Sequence, residues 1–157
     1  MAKIERKYLA HYINAAPQGD MNYERLGKDL EEFSPELSAQ VETKKNILGK
    51  TSVLISGYEK KAAVETFYAD DGSALYDRLQ EIIDNNLLFE ELKTDVVEVR
   101  LWNEEGDEYP AIKEEAYIEI NSYGGDITGY QIPFTLHFTG EKVLGYFNIT
   151  TRTFIED

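Results

Sequence analysis

The chain contains no cysteine among its 157 residues, which excludes disulfide bonds, thiolate nucleophiles and sulfur ligands for a metal. Histidine occurs only twice, at His11 and His137, and neither has identifiable partners for a metal site or a catalytic triad. Glycine-rich phosphate loops are also missing, because Gly124-Gly125 lies between two predicted strands with no helix after it. These absences predict a protein that is not an enzyme, binds no metal and needs no cofactor.

Long apolar runs are missing as well. No run is long enough to cross a bilayer, and the opening residues, MAKIERKYLAHY, lack the continuous apolar centre of a signal peptide. We therefore expect a soluble protein, synthesised in the cytoplasm, with no membrane partner. The length predicts a single domain over residues 1–157, with a hydrophobic core of its own and flexible termini.

Basic residues are scarce, with 16 lysines and arginines against 30 acidic residues and a net charge of −14. A nucleic-acid-binding protein neutralises phosphates with lysine and arginine, so we expect no specific binding of DNA. The acidic charge suits either a surface that keeps the protein soluble or a channel wall along which DNA slides without adhering. Charge alone does not choose between these two functions.

Alternation of apolar and polar residues dominates the chain and predicts a mainly β fold. The predicted strands are 7–14, 36–42, 59–68, 95–102, 114–123, 131–139 and 142–150, and turns are expected at Glu105-Gly106-Asp107, Gly124-Gly125-Asp126 and Gly140-Glu141. Strand 7–14 is apolar on both sides, which predicts that it is covered on two faces. Short strands at regular spacing favour a β-sandwich or a partly closed barrel.

Helical periodicity appears once, over residues 73–86. One apolar stripe is formed by Leu75, Leu79, Ile82 and Ile83. Asp70, Asp71 and Ser73 are typical of a helix start. We expect this single helix to pack on the sheet, with the following side chains in solvent: Asp77, Arg78, Gln80, Glu81 and Asp84.

An acidic cluster surrounds Gly106 and is formed by Glu104, Glu105, Asp107 and Glu108. A calcium loop needs oxygen ligands at defined offsets around such a glycine. The spacing does not match an EF-hand, so the cluster is interpreted as the solvated tip of a hairpin.

The most unusual segment is Thr43–Tyr58, between predicted strands 36–42 and 59–68. It is longer than a tight hairpin requires and more apolar than an ordinary solvated loop. We predict an arm projecting at about residues 43–58 that contacts a partner, with another copy of the chain as the nearest candidate. The predicted interface residues are Lys44, Lys45, Asn46, Ile47, Leu48, Gly49, Lys50, Val53 and Ile55. The lysines belong either to a solvated loop or to a contact with an acidic surface on a neighbouring copy.

Several pieces of the chain, taken in order, resemble the tail tube (major tail) proteins of tailed bacteriophages. They are Tyr23-Glu-Arg-Leu-Gly-Lys-Asp-Leu, Val41-Glu-Thr-Lys-Lys-Asn-Ile-Leu-Gly, Ser56-Gly-Tyr58, and Tyr68-Ala-Asp-Asp71 before the helix. The likeness extends from about Lys7 to about Asn148, and it depends on the order and spacing of the pieces rather than on one motif.

The resemblance implies a β-sandwich or barrel with one helix, whose copies form hexameric rings stacked into a hollow tube in the virion tail. DNA passes through the lumen of such a tube without specific binding, and other tail proteins are further partners. Two alternatives stay open. One is a tail terminator, bacteriocin tube or secretion-tube protein of the same lineage, and the other is a small β-barrel that binds a soluble ligand.

Overall fold

The computed structural model describes residues 2–16, 19, 21–103 and 107–157. Strands make up 51% and helices 13% of the chain, so the predicted mainly β fold with one helix is confirmed. Within the described residues, seven strands form one antiparallel sheet that curls into a half-barrel, and two separate hairpins lie outside this sheet.

In chain order the strands are β1 (Leu9–Asn14), β2 (Tyr23–Arg25), β3 (Ala39–Lys45), β4 (Thr51–Tyr58), β5 (Lys61–Val64), β6 (Lys93–Arg100), β7 (Glu108–Ile120), β8 (Gly124–Asp126), β9 (Gly129–Gln131), β10 (Phe134–Asn148) and β11 (Thr153–Glu156). The helix α1 spans Ala74–Asn85, and short 3₁₀ turns lie at Arg6–Tyr8 and Phe89–Leu92. The large sheet has the order β11-β10-β7-β6-β1-β2, and β5 pairs with another part of β10. The separate hairpins are β3–β4 and β8–β9.

A hydrophobic cluster lies on each face of the large sheet, because successive strand residues point to opposite sides. On one face, Ile13 packs in a cluster that includes Leu75 and Leu79 of α1. On the other face, Tyr12 packs against Phe147 with ring centroids 4.6 Å apart. Strand β1 is therefore covered on both faces, as its sequence predicts.

Helix α1 matches the predicted boundaries to within one residue at each end. Ser73 caps its start, since the Ser73 hydroxyl accepts a hydrogen bond from the Tyr76 backbone N–H at 3.2 Å. Asn86 ends it in the left-handed conformation, with φ of 49°. The predicted stripe is buried at Leu75, Leu79 and Ile82 and half-buried at Ile83.

The predicted solvent exposure of Arg78 is wrong. Its side chain is buried, and its guanidinium donates hydrogen bonds to the carbonyl oxygens of Glu91 and Lys93 at 3.0 and 3.1 Å. Burial lowers the pKa of this guanidinium, and the two carbonyl acceptors compensate for the lost water. Arg78 thus ties α1 to the start of β6, an interaction that helical periodicity does not reveal.

The predicted turn at Gly140-Glu141 is also wrong. Strand β10 continues through this position and pairs with β7 on both sides of an irregularity between Phe138 and Lys142. Gly140 has φ of 95°, which residues with a side chain rarely adopt. The glycine therefore permits a bulge within one strand, where the sequence pattern predicted a connection between two.

The two other predicted turns, at Gly124-Gly125-Asp126 and at Glu105-Gly106-Asp107, have different outcomes. Gly124-Gly125-Asp126 is strand β8, paired with β9, rather than a simple turn. Pro133 lies between β9 and β10, where its missing N–H leaves no strand hydrogen bond unmade. The turn at Glu105-Gly106-Asp107 and the acidic cluster fall largely on residues 104–106, outside the described residues.

No helix in the described part of the chain is long and apolar enough to cross a membrane.

A cluster of buried and half-buried ionisable side chains lies on the face of the sheet that also carries α1. Lys60 Nζ lies 2.5 Å from Glu114 Oε1, and their side chains are 16% and 5% exposed. His11 Nε2 lies 3.1 Å from Glu98 Oε1, because β1 and β6 place these residues directly opposite each other. The sequence alone offers no partner for His11. Among the described residues, no group of three or more histidine or carboxylate side chains is placed to hold a metal.

The hydrogen bond with His11 lowers the pKa of Glu98 below its usual value of 4.5. A carboxyl with a depressed folded-state pKa stabilises the fold above its unfolded pKa and loses that contribution as the pH falls through the folded pKa. As the pH falls from about 5 into the acid range, a Glu98→Gln variant should therefore lose less of its free energy of unfolding than the wild-type protein loses. Urea denaturation at several pH values measures the free energy of unfolding of both proteins. An equal loss of that free energy in both proteins as the pH falls would contradict the prediction. Glu119→Gln, which removes the exposed pair with His137, is the control and should cost less stability at neutral pH.

Candidate assembly interface

The segment predicted to be a projecting arm is a β-hairpin outside the large sheet. Strand β3 continues past its predicted end to Lys45 and pairs with β4. The connection is only Asn46–Lys50, so most of the segment Thr43–Tyr58 is strand. The β-branched residues of Thr51–Tyr58 favour extended backbone, which explains why this apolar stretch forms a strand.

The tip of the hairpin is a defined turn. The Asn46 side-chain oxygen accepts hydrogen bonds from the backbone N–H groups of Leu48 and Lys50 at 2.9 and 3.1 Å. Gly49 follows with φ of 80°, which suits glycine. The turn presents Ile47 fully to solvent and leaves Leu48 77% exposed. Two large apolar side chains are thus displayed on an ordered backbone.

The base of the hairpin is joined to the edge of the large sheet. Glu36 and Lys61 exchange backbone hydrogen bonds of 2.7 and 2.9 Å, which links the segment before β3 to β5. The Gln40 side-chain amide donates to Glu59 at 2.9 Å across the base. Ser38 has φ of 48°, so the alternation predicted from residue 36 becomes regular only within β3. These contacts fix the point from which the hairpin projects.

One face of the hairpin carries an apolar stripe. Residues directly opposite each other share a face, and the register pairs Val41 with Ile55 and Thr43 with Val53. Val41, Val53 and Ile55 are all more than half exposed. Tyr58, opposite Ala39, extends the same stripe and is 61% exposed. Val41 and Tyr58 were missed as interface residues, although the alternation from Val41 onward is a signal that could have identified Val41.

The hairpin is basic in an acidic protein. Residues 39–58 contain three lysines and one glutamate, for a net charge of +2, while the whole chain carries −14. Within the described part of the chain, Lys44, Lys45 and Lys50 form no ion pair. A hairpin with this charge is suited to contact with an acidic surface.

All nine predicted interface residues lie in this hairpin and are exposed. Fourteen of the fifteen residues in β3 and β4 are exposed, and the exception, Gly57, is half-buried. An isolated two-stranded hairpin is only marginally stable in water. A hairpin with an uncovered apolar stripe gains stability by packing that stripe against a partner.

No protein-family model matches the chain, and no curated protein matches it. The function of the hairpin is therefore inferred from its own geometry, exposure and charge.

Proposed function

We propose that this chain is a structural subunit that assembles with copies of itself into rings, which stack as a tube resembling a bacteriophage tail tube. The observation that carries the proposal is the β3–β4 hairpin, an ordered, basic arm with an exposed apolar stripe on an otherwise acidic subunit. Such an arm is suited to contacts between copies, because it supplies both apolar area and charge complementary to the rest of the chain.

The curled sheet is suited to the same role. Within the described residues, β11 has a neighbouring strand on one side only, and an unpaired strand edge is a template for pairing with another chain. In the proposed tube the rings are hexameric, as the resemblance implies, and the assembly belongs to a virion tail. DNA passes through the lumen without specific binding, which the net charge of −14 supports by disfavouring adhesion to phosphate.

The proposal is tested by negative-stain microscopy of purified protein at high concentration, together with its mass in solution. We expect hollow tubes of uniform diameter built from stacked rings. Single rings that do not stack would favour a tail terminator. A monomer at every concentration would overturn self-assembly and favour a small β-barrel that binds a soluble ligand.

A further inference from the structure

The segment between α1 and β6 presents two large apolar side chains at the surface. Leu88 is 61% and Phe89 is 82% exposed. The backbone beneath them is held in place, because the buried Arg78 guanidinium donates to the Glu91 carbonyl oxygen at 3.0 Å and the Glu91 N–H donates to the Leu88 carbonyl oxygen at 3.2 Å. Residues 88–91 therefore form an ordered protrusion, which we call the knob.

Phe89 has a backbone conformation that is costly for an aromatic residue. Its φ is 55°, in the left-handed region that glycine and asparagine adopt more readily. Phe89 belongs to neither hydrophobic cluster, so its ring gains little burial within the subunit in return. Residues held in this way are concentrated at functional sites. An exposed aromatic ring on an ordered backbone is suited to anchor a contact with a partner.

A cleft of about 510 Å³ lies beside the beginning of β1. Its lining is partly apolar, since Leu9, Leu26 and Leu30 border it half-buried and Phe33 borders it from the interior. The volume is within the roughly 300–1,000 Å³ range of sites that enclose a small ligand, so the cleft has room for an aromatic side chain.

The cleft is also basic. Four exposed basic side chains border it together with two carboxylates, and these are Arg6, Lys7, Arg25 and Lys28 with Glu31 and Glu32. The guanidinium groups of Arg6 and Arg25 donate to backbone carbonyl oxygens and form no ion pair within the described residues. Their charge is therefore available to an acidic partner.

The knob has the opposite charge. Residues 79–92 contain four carboxylates and no basic residue. The next residue, Lys93, is paired with Glu115 at 3.2 Å. The knob and the cleft therefore match in both charge and apolar character.

The cleft and the knob lie toward opposite ends of β6. Leu9, in the cleft, pairs with Arg100 at the end of β6, whereas the knob comes just before Lys93 at the beginning of β6. Seven steps of extended strand separate Lys93 from Arg100 by about 23 Å. This separation suits a head-to-tail contact between copies, in which the knob of one enters the cleft of the next.

We infer that the knob of one copy docks in the basic cleft of a second copy, with Phe89 against the apolar lining and Glu91 beside the basic side chains. This inference rests on the proposed self-assembly and names an interface separate from the β3–β4 hairpin. A contact between two different surfaces is heterologous, so each copy has one knob and one cleft and the contact repeats from copy to copy. The aromatic anchor supplies affinity, and the charges orient the two copies.

A Phe89→Asn variant separates this role from a structural one. Asparagine tolerates the left-handed conformation, so the free energy of unfolding should stay the same or rise, while self-association should weaken at least about tenfold. Urea denaturation measures the first quantity, and light scattering over a concentration series measures the second. Tyr123→Asn removes another exposed aromatic side chain and is the control, with association unchanged. Unchanged association of the Phe89 variant, or weaker association together with lower stability, would overturn the inference.

Because the chain has no cysteine, paired cysteines report the contact directly. A Lys28→Cys, Glu91→Cys variant treated with a short bismaleimide should give a ladder of covalent multiples. Each single-cysteine variant is the control and can give pairs at most. Tubes without a ladder would overturn the contact between knob and cleft and leave the proposed function standing. A ladder from oligomers that never form tubes would do the reverse, and an unlinked monomer would overturn both.

Discussion

A variant carrying Ile47→Asp and Leu48→Asp should fold like the wild-type protein and fail to form tubes. Both side chains are exposed at the tip of the β3–β4 hairpin, so their replacement removes no contact from either hydrophobic cluster. Burying each of them against a neighbour would contribute roughly 1.5–3 kcal/mol per copy. A carboxylate in the same contact is costly to desolvate, and the cost recurs at every copy of a ring.

The chain provides a matched control for this variant. Ile127 lies at the tip of the other hairpin, β8–β9, and is also fully exposed. Ile127→Asp makes the same kind of change and should leave tube formation intact. Circular dichroism checks the fold, and light scattering with electron microscopy checks assembly. Normal tubes from the Ile47, Leu48 variant would show that the tip is not a joint, and unfolding would show that it belongs to the core of the subunit.

Replacing Lys60 by methionine should lower the free energy of unfolding by about 3–5 kcal/mol, because it leaves the Glu114 carboxylate buried without its partner. The Glu114 side chain is only 5% exposed. Its Oε2 atom is already without a hydrogen-bond partner among the described residues. Methionine keeps an apolar side chain of similar length and removes only the ammonium, which lies 4.9 Å from the centre of the Phe138 ring, so the variant isolates the loss of charge.

The neighbouring Lys61→Met is the control, since Lys61 is exposed on β5 and should change stability by less than about 0.5 kcal/mol. Urea denaturation with unchanged m-values measures both effects. Adding Glu114→Gln to Lys60→Met should recover part of the loss, because it removes the unpaired charge. Equal stability of the Lys60 and Lys61 variants would show that the buried pair contributes nothing net.

The parts of the fold that sequence predicted well have causes within a few neighbouring residues. Helix α1 follows from one apolar stripe and the Ser73 cap. Strand β1 follows from apolar residues at successive positions, which bury both faces. A turn at Gly140 did not form, because glycine suits turns and bulges equally and only pairing with β7 decides between them.

Interactions between distant residues were not predictable in the same way. His11 and Glu98 are 87 positions apart, and only the β1–β6 register brings them together. Arg78 has the sequence signature of a solvent-facing residue, yet carbonyl groups of a later segment hold it in the interior. Alternation and periodicity describe one element at a time, so they carry no information about which polar groups meet across elements.

For the candidate interface, the sequence was sufficient to single out 43–58, because its apolar residues and lysines are too concentrated for a solvated loop. The tertiary structure decided its form. Pairing of β3 with β4 places Val41, Val53 and Ile55 on one face, and the large sheet is completed without covering that face. The exposure of a side chain depends on where all the other elements of the fold lie. Composition can therefore locate an apolar arm, but only the folded arrangement shows that the apolar face of the arm is left uncovered.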